Sequence, residues 1–274
     1  MHNSATLAEI FPVIATETAY CKKHDCEYQA VTNRVGPRHV VSACPVCHDE
    51  EIQQQTIKRQ REFDQERQNR LLQSRLDSAQ IPRRFQQSSF TGYRINNDER
   101  RAKTLRVLQG YAENFSEHRH SGASLILAGM PGTGKTHLAC AIAAHLAHEG
   151  YQAQYNTAQK LLRTIRDTYR KDSRLSTQDV LDKLARLDLL ILDEIGVQRG
   201  TDDELNLLFE VIDDRYANCA PTILISNLAG EEIKALLGER VIDRLKDGGG
   251  KYLAFNWESH RGTGNRTHPP KTEG

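Results

Sequence analysis

Neither charge dominates this sequence: 37 Lys and Arg stand against 36 Asp and Glu, a formal net charge of +1. That balance excludes a global basic field, so any contact with nucleic acid has to come from a local patch. No apolar run approaches the ~20 residues of a membrane-crossing helix. The opening residues, MHNSATLAEIFPVIATETAY, lack the basic flank and long apolar core of a secretion signal. A cytoplasmic protein with no membrane partner is expected. Residues 49–80 contain no glycine and no proline. Nothing there breaks a helix before Ile81-Pro82, where the residue preceding proline is pushed out of helical backbone angles.

What is present falls into regions. Four of the six cysteines crowd into one segment, as Cys21-x4-Cys26 and Cys44-x2-Cys47, with Cys140 and Cys219 isolated downstream. In a reducing compartment, clustered thiols argue for metal more than for disulfides. The stretch between the pairs is β-rich and short of apolar residues, so a tetrahedral Zn²⁺ on Cys21, Cys26, Cys44 and Cys47 would supply the fold. In that zinc-ribbon-like module, expected over 1–48, His24 and His48 could substitute as ligands, though histidines so placed more often stand solvated or hydrogen-bond a ligand from outside the metal shell. The two isolated cysteines read as small buried apolar residues. Residues 49–82 are rich in Gln, Glu and Arg and predict a solvated spacer helix. Beyond Trp257 the polar tail, expected over 260–274, has the composition of a disordered segment.

Residues 83–259 predict an α/β domain. Five short apolar runs, 124–128, 151–155, 188–193, 221–227 and 251–257, alternate with amphipathic helical stretches. That order implies a five-stranded parallel sheet covered on both faces. The first run leads into Gly129-Met130-Pro131-Gly132-Thr133-Gly134-Lys135-Thr136, followed by His137 at the opening of a helix. This is a P-loop in the context it requires: glycines let backbone N–H groups curl around phosphates, and the helix N-terminus adds positive charge. Lys135 is expected on the β- and γ-phosphates of ATP and the Thr136 hydroxyl on Mg²⁺.

The third run ends in Asp193-Glu194. Asp193 suits the Mg²⁺ shell, and Glu194 suits orientation and deprotonation of a water. A kinase acting on a small molecule does not need that second acid, so the pair favours NTP hydrolysis. The fourth run ends in Ser226-Asn227; beside the P-loop strand, Asn227 would help hold the water. A loop at 168–174, TYRKDSR, joins Tyr169, which can stack on a base, to Arg170, Lys171 and Arg174, which can meet phosphates of single-stranded DNA.

In order, IPRRFQQSSFTGYR, GMPGTGKTHLA, LLILDEIGVQ, ILISNL, LLGERVIDRL and FNWESHR resemble the AAA+ ATPases, and within them the DnaC/IstB branch. The resemblance covers about residues 81–261. It implies an ATP-dependent loader that places the replicative hexameric DNA helicase on single-stranded DNA during replication, with ATP governing assembly. It also implies an arginine, Arg240 or Arg244, offered to the nucleotide of a neighbouring subunit, and Arg261 reaching the nucleotide from within its own subunit. Head-to-tail sharing of sites builds a ring or spiral, expected to be hexameric, in which hydrolysis is weak until assembly. The chain runs out soon after the fifth strand, an expectation of a switch without a C-terminal helical lid. The alternatives are an IstB-like transposition helper and a zinc-dependent DNA-binding adaptor with a vestigial nucleotide pocket.

Overall fold

A computed structural model of the chain describes residues 12–197 and 201–260. The expectations for residues 1–11, for the tail beyond His260 and for Arg261 lie outside the described residues. Contacts divide the chain into two compact units, with the boundary between Arg70 and Leu71.

In the first unit, β1 (Val13–Cys21), β2 (Cys26–Val35) and β3 (Arg38–Val41) form an antiparallel meander in that order. Cys21 pairs directly with Cys26 across the first turn, in which Asp25 takes a φ of 50°. Gly36, at φ 59°, supplies the second turn. Helix α1 (Pro45–Ser78) starts at a proline whose missing N–H no helical partner would need, so the Cys44-x2-Cys47 pair sits on its first turn. No residue of α1 is buried. It stops at Ser78, and Gln80 turns the chain at φ 53° before Ile81-Pro82.

The second unit is an α/β sandwich around five parallel strands. After α2 (Glu99–Glu113) and α3 (Phe115–Ser121) come β4 (Leu125–Gly129), α4 (Lys135–His148), β5 (Ala153–Thr157) and α5 (Ala158–Asp167). Then follow α6 (Thr177–Ala185), β6 (Leu189–Ile195), α7 (Asp202–Ala217) and β7 (Thr222–Ser226). Helices α8 (Gly230–Leu237) and α9 (Glu239–Lys246) precede β8 (Lys251–Phe255). The sheet order is β5-β6-β7-β4-β8, every neighbouring pair parallel.

Alternate residues of each strand face opposite layers, the period-2 rule of a pleated strand. Leu125, Leu127, Ile191 and Ile223 pack into one apolar cluster with Leu138 and Ile142 of α4. Ile126, Leu190, Leu192 and Leu224 pack into the other, with Leu162 of α5, Leu208 of α7 and Val241 of α9. Burying one such aliphatic side chain contributes about 1.5–3 kcal/mol, so the two layers hold the sheet. Arg215 of α7 is fully buried and donates to the carbonyls of Leu184, Leu187 and Pro221 and to Thr222 Oγ1. Burial lowers its guanidinium to about 9, and these acceptors offset the cost.

Each predicted run contains a strand, with shifted limits. The run at 151–155 forms β5 only from Ala153, because Gly150 at φ 98° ends the preceding turn and Tyr151 packs on Phe115. The run at 251–257 leaves the sheet after Phe255, which frees Trp257 to reach the P-loop.

Candidate nucleotide site and cysteine cluster

The candidate nucleotide site lies at the carboxyl ends of β4, β6 and β7, which are adjacent in the sheet. A cavity of about 300 Å³ is lined by Pro131, Gly132, Thr133, Gly134, Lys135, Thr136 and His137, with Asp193, Glu194 and Asn227. The sequence-predicted acids and Asn227 are therefore brought together with the loop. Gly129 and Met130 do not line it; their carbonyls accept from Lys135 Nζ at 2.6 and 2.8 Å.

Two of the glycines are fixed by crowding. A Cβ on Gly129, at φ 131°, would stand 2.5 Å from the Phe255 carbonyl of the neighbouring strand. One on Gly134, at φ 97°, would stand 2.5 Å from the Tyr93 ring. The loop is braced from outside the motif. Tyr93 Oη and Trp257 Nε1 both donate to the Thr133 carbonyl, at 3.1 and 3.0 Å, and the His260 N–H donates to the Gly132 carbonyl at 2.9 Å. His137 contacts Ser88 Oγ at 3.3 Å and the Ser89 carbonyl at 2.9 Å, which fixes its ring.

Asp193 is 6% exposed, and its carboxylate is held by three donors. Thr136 Oγ1 and Tyr155 Oη donate to Oδ2 at 2.8 and 2.9 Å, and the Glu194 N–H donates to Oδ1 at 2.7 Å. Burial, and after it the Asp193 charge, pushes the Tyr155 hydroxyl above its ordinary range, so it remains a donor at working pH. Glu194 has a φ of 60°, a left-handed conformation that costs a non-glycine residue of order 1–3 kcal/mol. The β6–β7 ladder shifts register between Leu192 and Ile195, and at this irregularity Glu194 is exposed to the cavity. Burial raises the thiol of Cys140, behind the loop on α4, to about 12, which makes it inert packing, whereas Cys219, expected to be buried as well, is exposed in the turn after α7 at φ 48°.

Arg240 and Arg244 do not line this cavity. Both lie on α9, one turn apart, and share a surface groove with Tyr216 and Asp243. Arg244 pairs with Asp213 and stacks over Tyr216 at 5.4 Å, whereas Arg240 is exposed and has no side-chain partner among the described residues. In the 168–174 loop Tyr169 is 58% exposed, Arg170 pairs with Asp172 at 3.3 Å, and Lys171 and Arg174 are exposed.

Sequence reading missed four groups at the nucleotide site. Tyr155 was hidden because its contact depends on β5 pairing with β6. Arg84 and Phe85 line the cavity, and so does His260, which contacts Arg101 Nη1 at 2.7 Å. The IPRRF segment was the available signal for the first two, since it preceded the core in the motif order.

In the first unit, Cys21 and Cys47 Sγ lie 3.6 Å apart, and Cys26 and Cys44 Sγ 4.0 Å apart. His24 lies among them and His48, which is exposed, does not. The His24 backbone N–H lowers the Cys21 thiol to about 6, while burial raises that of Cys47 to about 11. Three or four soft donors at these separations fit a tetrahedral Zn²⁺, whose Zn–S bonds of ~2.3 Å make edges of about 3.7 Å.

A family model described as IstB-like ATP binding protein matches residues 55–248, which leaves the four-cysteine segment outside the match. The replicative helicase loader DnaC of Escherichia coli (strain K12) is 36% identical over 198 residues, 72% of this chain and 79% of that protein. Its counterpart in Buchnera aphidicola subsp. Acyrthosiphon pisum (strain APS) is 37% identical over 177 residues, 65% of this chain and 70% of that protein. The crystal structure of the DnaC helicase loader superposes with a TM-score of 0.56 at 22% identity, covering 63% of this chain and 99% of that one. That last likeness is one of fold. Among the described residues no helix is long and apolar enough to cross a membrane.

Proposed function

This chain belongs to the IstB/DnaC family of ATP-binding proteins, and on that premise we propose that it is a cytoplasmic loader of a replicative DNA helicase, switched by ATP. The observation that carries the reading is the Asp193 carboxylate, locked to the Thr136 hydroxyl at 2.8 Å, with Glu194 and Asn227 on the same cavity. A pocket built only to bind a nucleotide does not need an exposed carboxylate in a costly backbone conformation at that point.

In this reading the P-loop N–H groups and Lys135 hold the phosphates of ATP. Thr136 and Asp193 would hold Mg²⁺, which neutralises phosphate charge when bound. Glu194 orients a water and takes its proton, and Asn227 fixes that water's other side. A neighbouring copy lends Arg240 or Arg244 to the transferring phosphoryl group, since neither lines the cavity of its own chain. Arg261 would reach the nucleotide from its own chain. The Tyr169 loop is the proposed contact with single-stranded DNA, and the cysteine module, expected at 1–48 ahead of the 49–82 spacer, binds Zn²⁺.

Glu194→Gln should bind ATP normally and lose at least about a hundredfold in turnover, read by nucleotide binding and phosphate release on one preparation. Mass measurement of the protein mixed with a replicative hexameric helicase, with and without ATP, tests the partner. An ATP-dependent assembly supports loading. Binding to a transposase instead of the helicase favours the IstB-like helper.

A further inference from the structure

The N-terminal unit carries five metal-ligating side chains at one end of its hairpin, Cys21, His24, Cys26, Cys44 and Cys47, and a structural zinc takes four. Three observations select among them. The ligand atoms of Cys21, His24, Cys44 and Cys47 all lie within 4.8 Å of one another, a mutual set that Cys26 does not join. Within it, His24 Nδ1 is 3.3 Å from Cys47 Sγ, 3.6 Å from Cys21 Sγ and 4.0 Å from Cys44 Sγ. Mixed Zn–S and Zn–N bonds of ~2.3 and ~2.0 Å require N···S edges of about 3.5 Å.

The second observation concerns the far side of the imidazole. His24 Nε2 stands 3.1 Å from Glu50 Oε1, and Lys23 pairs with the same carboxylate group. A carboxylate that accepts the Nε2 proton leaves the Nδ1 lone pair for the metal and fixes the ring plane. The third lies in the sequence: Cys21-x2-His24 and Cys44-x2-Cys47 have matching two-residue spacings, whereas Cys21 and Cys26 are separated by four. Cys26 sits opposite Cys21 in the strand pair, and its sulfur lies 4.0 Å from that of Cys44.

We propose that the module binds Zn²⁺ through Cys21 Sγ, Cys44 Sγ, Cys47 Sγ and His24 Nδ1, with Glu50 as the positioning residue and Cys26 outside the metal shell. The proposal rests on the zinc reading above and fixes its ligands. Three thiolates and a neutral imidazole leave the centre one negative charge lower in magnitude than four thiolates would.

The test uses the full chain, purified with zinc and exchanged to Co²⁺, whose thiolate charge-transfer intensity counts sulfur ligands. The expected result is one metal per chain, a three-thiolate spectrum, and the same spectrum and stoichiometry in Cys26→Ser. Glu50→Gln should weaken metal binding about 10–100-fold in a chelator competition without changing the thiolate count. His24→Ala should lose the metal or, by recruiting Cys26, gain a fourth thiolate; either supports the assignment. A four-thiolate spectrum in the unaltered chain, unchanged by His24→Ala and reduced by Cys26→Ser, overturns the ligand set while keeping the zinc. Absence of any bound metal overturns both.

Discussion

Leu125, Ile126 and Leu127, consecutive on β4, are each at most 1% exposed, whereas Val40 and Val41, neighbours on β3, are 50% and 59% exposed. The residues have similar chemistry and strand geometry, yet among the described residues of the first unit nothing covers these two valines. Among its described residues only Cys21, Ala30 and Cys44 count as buried and apolar. Two of those three are proposed metal ligands. A sheet that buries alternate faces into two clusters holds itself by transfer free energy. A meander with exposed valines has to be held at its end, and a structural Zn²⁺ contributes an apparent ~10–16 kcal/mol to such modules.

The sharpest break in the comparison is therefore chelation. Removing metal should abolish amide-exchange protection across β1 and β2 while β4 and β6 keep theirs, followed residue by residue on the intact chain. Lowering pH should act in the same direction, because thiolates and a neutral imidazole must be deprotonated to bind metal. A hairpin that stays protected without metal would show that the first unit has a source of stability that its burial does not reveal.

The units also differ in self-sufficiency. The four clustered zinc-ligand candidates, Cys21, His24, Cys44 and Cys47, come from one chain, whereas Arg240 and Arg244 lie in a groove apart from the cavity of their own chain. If a neighbour completes the nucleotide site, Arg240→Ala with Arg244→Ala should cost about a thousandfold in ATP turnover, the low end of arginine-finger effects. Mixing that double variant with Glu194→Gln should restore part of the rate, because some junctions then pair an intact acid with an intact arginine. Turnover per chain in the unaltered protein should rise with protein concentration. Undiminished turnover at high dilution would remove the distinction. The single variants sharpen it: Arg244 is already tied to Asp213 and Tyr216, so the exposed Arg240 is free to cross a junction with less rearrangement.

How much of this was legible depended on whether a signal was local. The P-loop, the acids after β6 and Asn227 after β7 are local patterns, and the structure brings them to one cavity. The runs that gave β4, β6 and β7 were legible because a strand buried on both faces is apolar nearly throughout, whereas β5 carries the buried polar Gln154 and Asn156 and β8 is largely exposed. The long hairpin of the first unit was only partly legible. Val13, Ile14 and Tyr20 on β1 are all exposed, so no inside–outside alternation marked that strand in the sequence. Pro45 as a helix start was readable in principle, since proline suits the first helical position, but the acidic run from Asp49 drew the boundary later. Arg215 looked like one more charge at the end of an amphipathic helix, and its burial depends on which carbonyls the opposite loop presents.

Tyr155 shows the same limit at the site itself, and it supplies the finest test of the comparison. Its ring belongs to an apolar cluster and its hydroxyl ends on Asp193 Oδ2, so one residue serves both the packing and the site. Tyr155→Phe keeps the burial and removes only the hydrogen bond. Losing that bond from a carboxylate still held by Thr136 and the Glu194 N–H should cost about 1 kcal/mol, or roughly fivefold. The loss should fall on the Mg²⁺ concentration needed for half-maximal turnover, with ATP binding without metal unchanged. Thermal stability should shift by no more than that same ~1 kcal/mol, because no methylene leaves the core. If stability collapses while the Mg²⁺ requirement stays put, Tyr155 is a core residue whose hydroxyl merely found a partner. If the Mg²⁺ requirement moves alone, the nucleotide site is preorganised by the same layer that folds the unit, and the first unit has no such apolar layer among its described residues.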